Sequence, residues 1–160
     1  MKHEMTEIYG RDFVETYVFN IQNMHKAAIS VCEQLLEYCE NNKYKPTDIV
    51  GISRGGLFLA QYVAYAFEKL NLKCKIRTYS EICRDKQRFI GKPLVICDDI
   101  LDSGETFDKV ILEGFTDNLM ATLIVKDIRQ KDWLEYGKFF TSAKHKIISR
   151  KVWVKFPWDF

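Results

Sequence analysis

Apolar residues recur three or four positions apart, or at multiples of that spacing, from Ile21 to about Glu40. Ile21, Met24, Ala28, Val31 and Leu35 share one face, and polar Asn41-Asn42 ends the pattern, so the spacing predicts an amphipathic helix. Asp48-Ile49-Val50-Gly51-Ile52 follows as a short apolar run of the buried-strand type. It leads through Ser53-Arg54-Gly55-Gly56, read as a turn, into a second helical pattern at Leu57, Ala60, Ala64 and Phe67. A further strand is expected within Lys73 to Tyr79, ahead of a charged stretch from Ser80 to Lys92. Pro93 introduces the apolar strand Leu94-Val95-Ile96-Cys97, which runs into Asp98-Asp99-Ile100-Leu101-Asp102-Ser103-Gly104-Glu105-Thr106. Helical spacing resumes at Phe107, Val110, Ile111 and Phe115, and Ala121 to Val125 is another strand, ending in Lys126. The tail Arg150 to Phe160 alternates charged and aromatic residues and is expected to form a last strand and a cap.

Strands that alternate with helices imply an α/β fold with a mainly parallel, twisted sheet flanked by helices, and such sheets bind ligands beyond the carboxyl ends of their strands. Every polar cluster above falls at such an end. The chain has 160 residues, the size of one domain, so a single domain over 1–160 is expected. Lys and Arg number 24 against 22 Asp and Glu, a balance of +2 without a long block of one sign. Nucleic acid is therefore not an expected partner. The charged residues scattered through Met1 to Asn20 exclude the apolar core of a signal peptide, and no uninterrupted apolar run is long enough to span a membrane. Five cysteines, irregularly spaced and without a C-x-x-C pair, fit neither a disulfide framework nor a zinc site and suit a reducing, cytoplasmic compartment.

Candidate chemistry concentrates between Leu94 and Thr106. Three carboxylates crowd a turn that also holds Gly104 and the hydroxyls of Ser103 and Thr106. Like charges at close range disfavour ionisation, so a cation, a polar ligand or solvent must compensate them, while the N–H groups at the start of the next helix suit a phosphate. A phosphorylated sugar with a divalent cation meets both demands. A solvated Asx-turn with a helix N-cap would use the same residue types.

The whole string, four apolar residues, Asp-Asp, two apolar residues and Asp-Ser-Gly-x-Thr, resembles the ribose-phosphate signature of the type I phosphoribosyltransferases, with Ser103 where the family more often has Thr. The resemblance implies that family's fold, with a core over about 20–145 and a small hood formed partly by the tail, about 146–160. It implies that Asp98 and Asp99 hold the ribose hydroxyls of phosphoribosyl pyrophosphate and position Mg2+. Asp102, Ser103, Gly104, Glu105 and Thr106 would wrap the 5′-phosphate, Asp102 also lying near purine N7 as a catalytic carboxylate. Ser53, Arg54, Gly55 and Gly56 match the pyrophosphate loop; glycines let the backbone approach an oxyanion and a guanidinium offers paired donors.

The strand ending Val125-Lys126, with Arg129 beyond it, resembles the base-recognition strand of the 6-oxopurine members. There Lys126 would donate to O6, and since a lysine cannot accept from a 6-amino group, adenine would be rejected. The tail Trp153-Val154-Lys155-Phe156-Pro157-Trp158-Asp159 resembles the hood of the xanthine-guanine enzymes. Trp153 would stack on the purine, with main-chain groups of Trp153 and Val154 near its 2-position, and Trp158 would be a core or interface aromatic. The basic segment Arg77 to Lys92 corresponds to the flexible loop that closes over the reaction, with Thr78 and Tyr79 near a Ser-Tyr pair. The segment Glu135 to Ser149 departs from the family pattern. The expected activity is Mg2+-dependent phosphoribosyl transfer to N9 of guanine, xanthine or hypoxanthine, in a homo-oligomer (dimer or tetramer). The alternatives are a non-catalytic sensor of phosphoribosyl pyrophosphate or nucleotide, and a transferase for a pyrimidine or other base.

Overall fold

A computed structural model describes residues 15–126, 137–143, 147–149 and 151–159. The chain runs β1 (Glu15–Val18), α1 (Ile21–Asn42), β2 (Asp48–Gly51), α2 (Ser53–Glu68), β3 (Lys75–Thr78), α3 (Tyr79–Arg84), α4 (Lys86–Phe89), β4 (Leu94–Leu101), α5 (Glu105–Leu112), β5 (Asn118–Lys126), β6 (Phe139–Ser142), β7 (Ile147–Ile148) and β8 (Val152–Lys155). The main sheet has the order β3-β2-β4-β5-β6, and β7 also pairs with β5. All of these pairings are parallel. This is the α/β sheet flanked by helices that the alternation predicts. A second, two-stranded parallel sheet joins β8 of the tail to β1 near the other end of the chain.

Strand side chains alternate between faces and build two cores. Ile49, Val95, Cys97, Leu119 and Ala121 meet Met24, Val31 and Leu35 of α1 and Leu59, Val63 and Phe67 of α2. On the opposite face Val50, Leu94, Ile96 and Met120 meet Ile82, Phe89, Phe107 and Val110. Helix α1 begins where Asn20 accepts from the amide of Asn23 at 2.9 Å and stops at Lys43, whose φ of 51° turns the chain out of the helix.

Two segments differ from the sequence expectation. Ser53 to Gly56, read as a turn, is the first turn of α2; a helix start tolerates glycines that its middle would not, so their presence misplaced the boundary. The charged stretch after Tyr79 is folded as α3 and α4, which bury Ile82 and Phe89. Thr78 caps α3 in a reciprocal capping box with Glu81. Two apolar anchors seven residues apart are too sparse a signal for periodicity to reveal. Among the described residues no helix is long and apolar enough to cross a membrane.

Candidate active site

From β2 the chain continues to β3 on one side, while β4 lies on the other side of β2, so a crevice opens between the carboxyl ends of β2 and β4. Gly51, the last residue of β2, is level with Cys97, and the Ile52 amide donates to the Cys97 carbonyl at 2.8 Å. Beyond that point β4 runs on through Asp98 to Leu101, leaving the acidic pair beside the start of α2. A pocket of about 280 Å3 forms there, with Ser53, Asp98, Asp99, Asp102, Ser103, Gly104 and Thr106 in its wall.

The local backbone is specialised. Ser53 has φ 55°, the left-handed region, which costs a non-glycine residue on the order of 1 kcal/mol and is found where surrounding structure enforces it. Ile52 provides no side-chain cap for α2, so the N–H groups of Ser53, Arg54 and Gly55 are directed out of the helix end, that of Gly56 being bonded to the Ile52 carbonyl. Gly56 is required by contact: a Cβ there would run into the Cys97 carbonyl. Across the crevice, Gly104 has φ 88° and turns the chain into α5, a conformation that glycine adopts without strain.

Asp98 is 7 % exposed. Its Oδ1 accepts from the Asp99 amide at 2.8 Å and from Ser53 Oγ at 3.4 Å. Burial, and then the neighbouring Asp99 carboxylate, push the Asp98 pKa well above the usual carboxylate range. Asp99 is shifted the same way, first by burial and also by the Asp159 carboxylate, against hydrogen bonds that lower it. The pair is thus short of positive charge. Among the described residues no group of three or more His, Cys, Asp or Glu is placed to hold a metal ion alone. Two carboxylates at an open strand end suit magnesium, which keeps water ligands and takes the rest from substrate phosphates.

Asp102 and Lys126 meet because Leu101 of β4 is level with Val125 of β5. The next residues are neighbours, and Lys126 Nζ stands 3.8 Å from Asp102 Oδ2 with the lysine side chain only 2 % exposed. A buried ammonium is thereby matched to a half-buried carboxylate on the pocket wall.

Thr106 is already in the pocket wall, and the remaining expected residues take other positions. Arg54 is exposed on the first turn of α2, and Glu105 and Thr106 are exposed on α5. The Glu105 amide donates to Ser103 Oγ at 3.4 Å. Trp153 is half-buried on β8 opposite Thr16, while Val154 is buried opposite Tyr17. Thr78 and Tyr79 stand at the carboxyl end of β3, Tyr79 with its ring 6.5 Å from that of Phe115. Arg77, counted in the closing segment, reaches to Asp48 at 3.0 Å instead. Arg129 lies outside the described residues.

Trp158 and Asp159 are near the acidic pair, which the sequence did not reveal. A Cβ at Gly55 would stand 2.6 Å from Trp158 Cζ2 and closer still to the Asp99 Cβ. No periodicity marks this contact; its sequence trace is a glycine where a helix would otherwise take a larger residue.

The phosphoribosyl transferase domain family matches residues 18–152. Among curated proteins no sequence matches significantly. Solved structures share the fold. A purine phosphoribosyltransferase from Pyrococcus horikoshii Ot3 superposes with a TM-score of 0.61 at 21% identity, over 91% of this chain and 94% of that one. The xanthine-guanine-hypoxanthine phosphoribosyltransferase of Helicobacter pylori gives 0.56 at 16%, covering 91% and 93%. A hypothetical protein from Neisseria gonorrhoeae with bound ppGpp gives 0.52 at 16%, covering 94% and 92%. With its acidic strand end, its glycine-capped turn into α5 and this match along most of its length, the chain belongs to the phosphoribosyl transferase domain family and has the type I phosphoribosyltransferase fold.

Proposed function

We propose that this protein transfers the 5-phosphoribosyl group of phosphoribosyl pyrophosphate to N9 of a 6-oxopurine, in a Mg2+-dependent reaction of purine salvage. The observation that carries this reading is the pairing of buried Lys126 with Asp102 on the wall of the same pocket that holds Asp98 and Asp99. A buried ammonium beside a carboxylate of the pocket wall is a donor suited to a carbonyl oxygen, the group that distinguishes 6-oxopurines from adenine. The purine enzymes of the same fold from Pyrococcus and Helicobacter agree with that substrate class.

In this reading the N9–C1′ bond forms as the bond from C1′ to the pyrophosphate oxygen breaks, and the N9 proton leaves to solvent or to a base. Asp98 and Asp99 take the two ribose hydroxyls and hold Mg2+, which when bound supplies positive charge to the departing pyrophosphate. Ser103, Gly104, Glu105 and Thr106 wrap the 5′-phosphate at the start of α5, where the backbone N–H groups favour an anion. Ser53, Arg54 and Gly55 present the free first-turn amides of α2 and a guanidinium to the pyrophosphate, and Gly56 completes the loop with its own amide bonded to the Ile52 carbonyl. Asp102 faces N7 and steadies Lys126, Trp153 stacks on the base, and main-chain groups of Trp153 and Val154 read its 2-position. Thr78 and Tyr79 border the site from β3. A single domain over 1–160 working as a cytoplasmic homo-oligomer completes the proposal; the five unpaired cysteines are in keeping with a reducing compartment.

The test is pyrophosphate release from phosphoribosyl pyrophosphate and Mg2+ with guanine, xanthine, hypoxanthine, adenine or uracil supplied singly, with the nucleotide product identified by mass. Product with one or more 6-oxopurines and none with adenine is expected. Product with uracil alone would move the reading to a pyrimidine transferase. Absence of any product, in protein that binds phosphoribosyl pyrophosphate, would make it a sensor.

A further inference from the structure

The first turn of α2 lacks the usual means of being held in place. Its N-cap residue is Ile52, without a capping hydrogen bond, and its first residue, Ser53, is in a left-handed conformation. A turn whose amides are left for a ligand must be fixed by something else, because an oxyanion grip loses its value when its donors wander. On the β4 side it is held by the Ile52–Cys97 and Ser53–Asp98 hydrogen bonds, and on the tail side the neighbour that presses on it is Trp158.

The tail makes Trp158 rigid before it reaches α2. Phe156 to Asp159 close a turn in which the Phe156 amide donates to Asp159 Oδ2 at 2.9 Å and the Asp159 amide donates to the Phe156 carbonyl at 3.0 Å. Pro157 restricts the backbone between them. The Trp158 ring stacks on Phe156 with centroids 5.0 Å apart and 9° between planes. Phe156 is itself buried edge-on against Phe19, centroids 5.7 Å apart. On its other side Trp158 lies 6.0 Å from Phe58 of α2. Its Cζ2 fills the space that a side chain on Gly55 would need, beside Asp99.

We propose that Trp158 is a positioning residue: wedged between the tail and Gly55, its indole fixes the first turn of α2 and the Asp99 carboxylate for a Mg2+-bound pyrophosphate. The inference rests on the pyrophosphate-binding role proposed above for that turn. It gives the aromatic tail a second task beside the base stacking of Trp153, since Trp158 follows in the turn just after β8, and it links the leaving-group end of the site to the base end.

The experiment is titration calorimetry of pyrophosphate with Mg2+ into the full chain, compared with Trp158→Phe and Trp158→Leu. Phenylalanine keeps a ring to stack on Phe156 but lacks the part of the indole that carries Cζ2. Trp158→Phe is expected to weaken Mg2+-pyrophosphate binding about tenfold, with Trp158→Leu weaker again. Affinity for guanosine 5′-monophosphate, which leaves the pyrophosphate position empty and meets Asp99 only through a ribose hydroxyl, is expected to fall by no more than about threefold, and the thermal midpoint to move little for Trp158→Phe. Unchanged pyrophosphate affinity, a parallel loss of both ligands with the thermal midpoint, or failure of the parent protein to bind Mg2+-pyrophosphate would each overturn the inference. A Trp158-dependent pyrophosphate site in a protein that makes no nucleotide would overturn the transferase reading and leave this one standing. A measurement independent of Trp158 replacement uses W133F/W153F, which leaves Trp158 as the sole tryptophan. Its emission is expected to shift on Mg2+-pyrophosphate, a ligand that does not call on the base-stacking position of Trp153; no shift counts against the proposal.

Discussion

Two aspartates are almost equally buried at opposite ends of adjacent strands, Asp48 at 4 % exposure and Asp98 at 7 %, and their surroundings could hardly differ more. Asp48, the first residue of β2, has Arg77 Nε 3.0 Å from Oδ1 and Thr47 Oγ1 2.7 Å from Oδ2. Arg77 in turn lies over the ring of Phe89, 5.6 Å from its centroid. Asp98 has an amide, a hydroxyl and a second carboxylate, and makes no ion pair with a cation among the described residues. A buried charge costs several kcal/mol unless it is matched. At the amino end of the sheet the chain supplies the match itself, so Asp48 is structural. At the carboxyl end it supplies no such match, and the stability cost retained there suits the ligand-binding role proposed for Asp98.

Neutralising Asp98 sharpens this contrast most. Asp98→Asn keeps an acceptor for the Asp99 amide and removes the uncompensated charge. Turnover, measured as kcat/KM for phosphoribosyl pyrophosphate, is expected to fall by about 10²–10³-fold. The thermal midpoint is expected to hold or rise, because the buried charge opposed folding. A midpoint several degrees lower would place Asp98 in the same structural class as Asp48 and remove the distinction.

The converse test strips Asp48 of its partner. Arg77→Leu leaves a carboxylate buried with one hydroxyl, and removing one member of such a pair costs about 3 kcal/mol. For a chain of this size that lowers the thermal midpoint by about 6–12 °C. Turnover of the folded fraction at room temperature is expected to change by less than about twofold, since Asp48 lies at the end of the sheet remote from the pocket. A large loss of kcat with an unchanged midpoint would show that Arg77 serves the closing segment, as the sequence suggested, and not the sheet.

Arg77 also marks where the sequence stops being legible. The strands β2, β4 and β5, the helices α1, α2 and α5 and the placing of acidic and glycine residues at strand ends all follow from local periodicity, with errors of a few residues at boundaries. Strand β4 continues through the acids to Leu101, past the point where its apolar run ends, because pairing with β5 outlasts hydrophobicity. Partners far apart in sequence are another matter. The pairing of β1 with β8, the reach of Arg77 to Asp48 and the wedge of Trp158 on Gly55 depend on where the finished fold brings the tail and the edge strand. No window of ten or fifteen residues contains that information. The candidate site was therefore legible as a set of residue types at strand ends, and illegible in which of them face one another.

Lys126 is the intermediate case between the two aspartates, and it predicts a smaller effect than either. Its charge is matched within the chain, as for Asp48, yet its partner Asp102 is 30 % exposed on the pocket wall, as befits a ligand site. Lys126→Met preserves the length and apolar body of the side chain and deletes the ammonium. Asp102 then keeps access to water, so the thermal midpoint is expected to shift by no more than about 2–4 °C, equivalent to about 1 kcal/mol. Selectivity is expected to change more than stability. In the proposed role of Lys126 as donor to O6, kcat/KM for the preferred 6-oxopurine is expected to fall by about 10–100-fold, while the value for adenine, which would make no such bond, is expected to stay near its starting level. The ratio between the two bases, measured in a single competition reaction, separates this outcome from a general loss of activity. If both bases declined together, Lys126 would be a structural partner of Asp102, and the pair would belong beside Asp48 and Arg77.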